Sequence, residues 1–304
     1  MLGIEYKSLV ELIRAFPDDE SCLEYLEAAR WGDKVVSPFD PTSKVYRCKG
    51  HKFYCKNTGK YFNALTGTFL ENTKVSLTKW MMAVWLLSAA KKGVSSYQLA
   101  RDIGVTQKTA WFILHRIRKC LADTETVLDG EVEMDETFVG GKNKNRHWNK
   151  KVKNCQGRAH LDKTPVFGMV ERGGHLAAQV IPDTSQQSIT PVVLQRVSRN
   201  ATIFTDEWMG YDKLDKLYNR WFIDHSRGQY VDGNITTNRI EGFWGIFKRG
   251  IIGVYQMATR KHLQKYVDEF VWRYNTRLVT QGQRFSMFFA NFDSRLRYKD
   301  LVYA

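Results

Sequence analysis

The sequence predicts an α/β domain from about residue 126 onward, preceded by an α-helical region that carries a small β ribbon. Three observations predict this. Residues 131–138 alternate, with Val132, Met134 and Phe138 on one face and Glu133, Asp135 and Thr137 on the other, the period of a strand with unlike faces. Strand-like runs at 165–172, 176–182 and 201–205 mix with helical stretches at 186–199, 237–250 and 259–277. Upstream, 76–121 is helical in texture throughout, whereas Pro, Gly, Asp and Thr punctuate 33–70 around short runs at 44–47 and 52–55, a pattern of small hairpins.

A chain of 304 residues with 43% hydrophobic and 13% aromatic residues has enough apolar material for two domains with cores of their own. Its 46 Lys and Arg against 32 Asp and Glu leave a net charge of +14, which favours a polyanionic partner such as nucleic acid, although many soluble proteins are mildly basic. Five scattered cysteines argue against a disulfide framework and for a reducing compartment. The first residues lack the basic-then-apolar order of a signal peptide. The longest apolar run, 80–90, is too short to span a bilayer and is bracketed by Lys79 and Lys91. A soluble, cytoplasmic protein with no membrane partner is expected.

Residues 5–31 read as two short helices broken at Phe16 and Pro17, the second capped by Asp18 and ending near Gly32. In the ribbon, the turns that would carry paired zinc ligands hold Ser37 and Asp40, then Cys55 and Thr58, so only Cys55 remains a good ligand. Cys48, His51 and Cys55 offer an improvised set at no common spacing, and a miniature fold without zinc is the preferred reading. Residues 95–118 read as a helix-turn-helix: Gly104 at the turn, Ala100 at the crossing, Leu99, Ile103, Val105, Ala110 and Ile113 as shared core, and Thr106 as cap. The second helix would then present Gln107, Lys108, Thr109, Trp111, His115 and Arg118 to a major groove and its phosphates. An ordinary helical hairpin with a solvated basic face is the alternative.

Three acids stand out against the basic background. Asp135 shares its strand face with Glu133, so a side-by-side carboxylate pair is possible there, against a solubilising acidic face. Asp206 closes the run 201–205 at a strand's carboxyl end, where α/β sites concentrate, or else caps the next helix. Glu241 lies on a helix whose stripe of Ile240, Phe243, Trp244, Phe247 and Ile251 is expected to be buried, with Asn238, Glu241, Gly245 and Lys248 along another face. A capping box between Asn238 and Glu241 is the structural alternative. Between them runs a loop, 140–163, with Lys142, Lys144, Arg146, Lys150, Lys151, Lys153, Arg158 and Lys163 against Asp162 alone. Carboxylates on separate elements of a basic chain suit divalent cations held against a nucleic-acid phosphate. The side chains of Asp135, Asp206 and Glu241 are therefore expected to converge.

The segments 134–142, 205–208 with Gly210 and Tyr211, 237–244 with 247–250, and the late run 261–275 resemble the DDE transposases of bacterial insertion sequences, in the group related to Merlin-type DNA transposons. The likeness extends over nearly the whole chain. It implies a ribonuclease H-like domain, a mixed five-stranded sheet with helices on both faces. It also implies that Asp135, Asp206 and Glu241 hold two Mg²⁺ ions, with Mn²⁺ as a substitute, and that Asn238 orients Glu241 or water. Lys248 would bind a phosphate, with Arg249 beside it on DNA. The implied partners are double-stranded DNA, both transposon ends and target, and further copies of the chain in a dimer or larger assembly, in bacterial cytoplasm at the nucleoid. Two departures accompany the likeness: the missing zinc ligands, and Gln256 where a histidine is expected. The resulting division is 1–32 helical, 33–70 ribbon, 71–125 helix-turn-helix, 126–285 catalytic domain and 286–304 tail. A related nuclease without strand transfer and a DNA-binding regulator descended from a transposase are the rival readings.

Overall fold

The computed structural model describes residues 5–123, 125–141, 143–153, 162–223, 236–290 and 292–303. The chain forms two compact units, Ala122–Arg277 and a first unit that joins Met1–Leu121 to Leu278–Ala304.

In the first unit α1 (Leu9–Ala15) and α2 (Asp19–Trp31) flank the expected break. Asp18 caps α2 in a capping box with Ser21, and Gly32 ends it at φ +55°. The ribbon is a three-stranded antiparallel sheet of β1 (Val45–Arg47), β2 (Phe53–Cys55) and β3 (Lys60–Phe62). Phe53, Cys55 and Phe62 form its core, with Trp31 packed against them. Hydrogen bonds occupy the two turns where ligands would be needed. Asp40 accepts from Thr42 and, at 2.7 Å, from Asn57 on the opposite turn, while Ser43 accepts from the Asn57 backbone at 3.0 Å. Burial pushes the Cys55 thiol up, yet hydrogen bonds with Ser37, Ser43 and Thr58 outweigh it and bring it down to about 6. His51 pairs with Glu27 at 2.8 Å.

Three helices follow: α3 (Leu77–Ala89), α4 (Ser96–Ile103) and α5 (Gln107–Cys120). The Asp19 carboxylate accepts the Leu77 N–H at 2.7 Å, tying α2 to the start of α3. Gly104 adopts the left-handed conformation between α4 and α5, and Thr106 caps α5.

The second unit is built on β4 (Glu131–Val139), β5 (Thr164–Glu171), β6 (Leu176–Val180), α6 (Gln186–Arg196), β7 (Thr202–Asp206), a 3₁₀ segment Met209–Lys216, β8 (Asn219–Ile223), α7 (Asn238–Gly250) and α8 (Arg260–Asn275). The sheet order is β6-β5-β4-β7-β8, antiparallel across β6, β5 and β4 and parallel from β4 through β7 to β8. This is the mixed five-stranded sheet of a ribonuclease H-like domain. Val132, Met134 and Ile203 pack on one face with Ile189 and Val193 of α6 and with Tyr211. Val166 and Val170 pack on the other with Ile240, Phe243 and Phe247 of α7 and Leu263, Val267 and Phe270 of α8. The predicted stripe of α7 is buried at every position. Strand β8 has no counterpart in the sequence reading. It is a short edge element with Trp221 and Phe222 half-exposed and no clean alternation to reveal it.

Beyond Arg277 the chain returns to the first unit as α9 (Gln281–Phe288) and α10 (Tyr298–Val302). This corrects the predicted boundary at 285 and the tail at 286–304. Phe285, Phe288, Phe289 and Phe292 are almost fully buried, and they pack edge-on among Tyr25 and Phe69. A segment with four buried phenylalanines is core, not tail. Among the described residues, no helix is long and apolar enough to cross a membrane.

The outer edge of β6 is covered by α8. Asn275 donates to the Leu176 carbonyl and accepts its N–H, and Gln264 accepts the Val180 N–H at 2.7 Å. Side-chain amides thereby satisfy an edge that would otherwise be open to pairing. Gln264 also donates to Asp268 at 2.7 Å, a carboxyl that burial raises to about 6. A carboxyl raised on folding binds its proton more readily in the folded state, so stability falls as pH climbs from about 4 through about 6. Asp268→Asn, which keeps the acceptor for Gln264, is expected to stabilise the protein at pH 7.5 by on the order of 1–3 kcal/mol. Urea unfolding at pH 7.5 and pH 4 checks this: the gain should vanish at the lower pH.

Candidate active site

Strands β4 and β7 pair in parallel from Glu131 opposite Thr202 to Glu133 opposite Phe204. Two residues further, Asp135 and Asp206 emerge side by side where β7 stops. One carboxylate oxygen from each of Asp135, Glu136 and Asp206 lies within 4.8 Å of the others. At that spacing each pair of full charges repels by roughly 3 kcal/mol at an effective dielectric near 20. Asp206 is held by its own loop: its Oδ1 accepts the Trp208 N–H at 3.0 Å. Trp208 donates in turn to the Thr184 carbonyl at 2.8 Å. Gly210 is required beside it, because a Cβ there would stand 2.5 Å from the Trp208 ring and 2.7 Å from the Thr184 oxygen. Tyr211 lies fully buried behind the acids, and burial, then Glu136, Asp135 and Asp206, hold its phenol well above the ordinary range. Three hard oxygens on one spot fit a hard divalent cation.

The structure corrects the expected third member. Glu136, not Glu241, completes the cluster. Glu241 is exposed on the first turn of α7, where its carboxylate accepts from the Thr237 hydroxyl at 3.1 Å. The capping box between Asn238 and Glu241 does not form either: the N-cap is Thr237, and Asn238 is exposed. Helix α7 is instead capped from the sheet. Glu133, fully buried, accepts the N–H of Arg239 at 2.8 Å and of Ile240 at 3.4 Å. Its other oxygen pairs with Arg172 at 2.9 Å. Arg172 also reaches Glu131 and the Thr236 carbonyl, with its guanidinium over Phe204. Glu133 is therefore a helix latch rather than the neighbour of Asp135 in a carboxylate pair.

The latch fixes the first turn of α7, which carries Glu241, to β4, and Glu241 is not a member of the cluster. Glu133 and Asp135 share a strand face two residues, about 7 Å, apart. Gly168, directly opposite Asp135 in β5, admits the Trp244 ring of α7, which an added Cβ would meet at 2.5 Å. Glu136 escaped sequence reading because period-two alternation puts it on the far face with Met134. Only the end of β7 lets oxygens from both faces of β4 meet. Lys248 and Arg249 are exposed further along α7, and an added Cβ at Gly245 would meet the Arg249 guanidinium at 3.5 Å. Gln256 follows a π-helical turn, Ile251–Tyr255, at φ +60°.

In the helix-turn-helix, Leu99, Ile103, Ala110 and Ile113 are buried as expected, and Val105 is half-buried. Lys108 is exposed with its ammonium over Tyr298, while Gln107, Thr109 and Trp111 are half-buried and Gln107 donates to Ser96. His115 and Arg118 are fully buried, which removes both from the predicted DNA-facing surface. The exposed residues of α5 are Lys108 in its first turn and Lys119 in its last. In the basic loop Lys150 and Lys151 are exposed and Arg146 donates to the Asp162 carbonyl at 2.8 Å. Lys142, Arg158 and the side chain of Lys144 lie outside the described residues.

Residues 127–275, nearly the whole second unit, match the ISXO2-like transposase domain family. Over this range the chain carries a DDE-type transposase domain of the insertion-sequence kind. This transposase is 27% identical over 275 residues, 86% of its length and 92% of the relative's, to a protein of the transposable element ISH50 from Halobacterium salinarum. A transposase-like protein of Haemophilus influenzae is 26% identical over 97 residues, 32% of this chain and 77% of that one. Among solved structures, an intasome of simian T-cell lymphotropic virus with a PP2A regulatory subunit aligns at TM-score 0.31 and 15% identity, over 61% of this chain and 66% of that one. A Mos1 paired-end complex aligns at TM-score 0.28 and 14% identity, over 92% and 97%. At such distances the fold is read from the strand order of the transposase itself.

Removing the latch should be costly. Glu133→Ala is expected to lower stability by about 3 kcal/mol or more, because it strands Arg172 and uncaps α7. Glu131→Ala, at the exposed end of the same ion pair, should cost under about 1 kcal/mol. Urea denaturation of the two variants checks the contrast.

Proposed function

We propose that this transposase binds the terminal inverted repeats of its own element, cuts DNA to expose a 3′-hydroxyl and joins that end to target DNA. The observation that carries this reading is the meeting of the Asp135 and Asp206 carboxylates at the ends of adjacent parallel strands. Asp135 and Asp206 would hold divalent metal, Mg²⁺ or Mn²⁺, with Glu241 added from α7. Bound there, metal would activate the attacking oxygen and stabilise the leaving one. The protein's own groups divide the remaining work. The Trp208 N–H keeps the Asp206 carboxylate aimed outward, and the Glu133 latch keeps α7 at the sheet. Asn238, the residue before the latched amides, orients Glu241 or water. Lys248 and Arg249 line the same helix for the phosphates of a DNA backbone.

DNA is gripped by charge. Lys108 at the start of α5, and Lys150, Lys151 and Arg146 in the basic loop, supply cations for phosphates, a contact that is independent of sequence and sensitive to salt, with Gln107 and Thr109 beside Lys108 as neutral hydrogen-bonding groups. Two ends must be held at once for joining, which calls for a dimer or larger assembly of the chain.

Asp135→Asn is expected to abolish cleavage of a duplex carrying the DNA from either side of the coding region, while binding in gel shift stays intact. A variant that still nicks this duplex in Mg²⁺ would sink the assignment. Joining of pre-cut ends to a target plasmid separates a transposase from a nuclease without strand transfer. Lys108→Ala should weaken binding of any duplex and lower the slope of log affinity against log salt by about one. Fluorescence anisotropy from 50 to 200 mM salt measures that slope.

A further inference from the structure

We infer that Glu136, rather than Glu241, completes a cation site in the transposase before any DNA is bound. This rests on reading the Asp135 and Asp206 pair as a metal-dependent centre, and it assigns the third ligand of the DNA-free state. Asp135 and Glu136 are neighbours on β4, and their carboxylates reach the same spot as Asp206 from opposite faces of the strand. All three sit on paired strand residues, Asp135 and Glu136 opposite β5 and Asp206 opposite β8. Glu241 is exposed, on a different element, and bonded to Thr237.

A second observation concerns how Glu136 is held there. Tyr211 is fully buried behind the three acids, with its hydroxyl against the Glu136 carboxylate. The ring itself is fixed by core packing with Met134, Phe167 and Leu214. A phenol placed this way backs the Glu136 carboxylate and limits its retreat into the core, so Tyr211 acts as a positioning residue. The strand acids then load an ion in the free protein, and Glu241 enters only when DNA and its phosphates arrive.

The test is Mn²⁺ binding to the full chain without DNA, followed by the electron paramagnetic resonance signal of free Mn²⁺. The native protein is expected to bind, and Glu136→Gln to weaken binding at least about tenfold, the cost of losing one charged oxygen ligand. Glu241→Gln should stay within about twofold of native. Glu136→Asp, which keeps the charge but withdraws it by one methylene, provides the measurement should the glutamine variant not fold, as judged by circular dichroism, and is expected to weaken binding in the same direction. Native-like binding by both Glu136 variants overturns the inference, and so does a loss in Glu241→Gln as large as in Glu136→Gln. Native-like binding by Asp135→Asn overturns instead the metal-dependent reading beneath it, so the two failures are distinguishable.

Discussion

A single buried carboxylate governs how the second unit of this protein is put together. Glu133 has no access to water, and an ionised group in that position survives only if every oxygen is answered. Arg172 answers one, and the first amides of α7 answer the other. Because those amides are among the donors a helix cannot satisfy internally, the carboxylate and the helix solve each other's problem. The consequence is spatial. A helix bearing Glu241, Lys248 and Arg249 is pinned to the central strand one pleat away from Asp135, and Gly168 gives the Trp244 ring room to settle there.

The same economy appears elsewhere in the transposase, where one group serves two elements. Asp19 begins α2 and also accepts the first amide of α3. Gln264 and Asn275 belong to α8 yet close the hydrogen-bonding edge of β6. In the ribbon, Asp40, Ser43 and Asn57 tie together turns that four metal ligands would otherwise join. These polar clasps explain how short strands and an eroded ribbon keep definite positions with small cores of their own. The chemistry of the site depends on that rigidity, since carboxylates that repel each other stay together only on elements that cannot yield.

Local signals in the sequence carried far. Gly104 and Thr106 marked the turn and cap of the helix-turn-helix, Asp18 the start of α2, and the Ile240 to Ile251 stripe the buried face of α7. Each depends on backbone conformation or on a helical period, which neighbouring residues decide. Glu136 received no role and Glu133 was read as a partner of Asp135 or as part of a solvated face, for one reason: alternation tells which face a side chain takes, not what waits there. That face of β4 is covered by a helix that begins about a hundred residues later in the chain. His115 and Arg118 failed in the same way, as polar side chains on a helical face that tertiary packing had closed.

What the sequence by itself determined was the inventory: the order of helices and strands apart from β8, α9 and α10, the ribbon without its ligands, the two strand-end aspartates and the likeness to insertion-sequence transposases. Tertiary structure alone decided which carboxylate joins those aspartates, what Glu133 is for, and that the last phenylalanines belong to the first unit. The division has a physical cause. Periodicity, caps and turns are set by contacts a few residues apart, whereas burial and the meeting of charges depend on segments that only the closed sheet and its covering helices bring together.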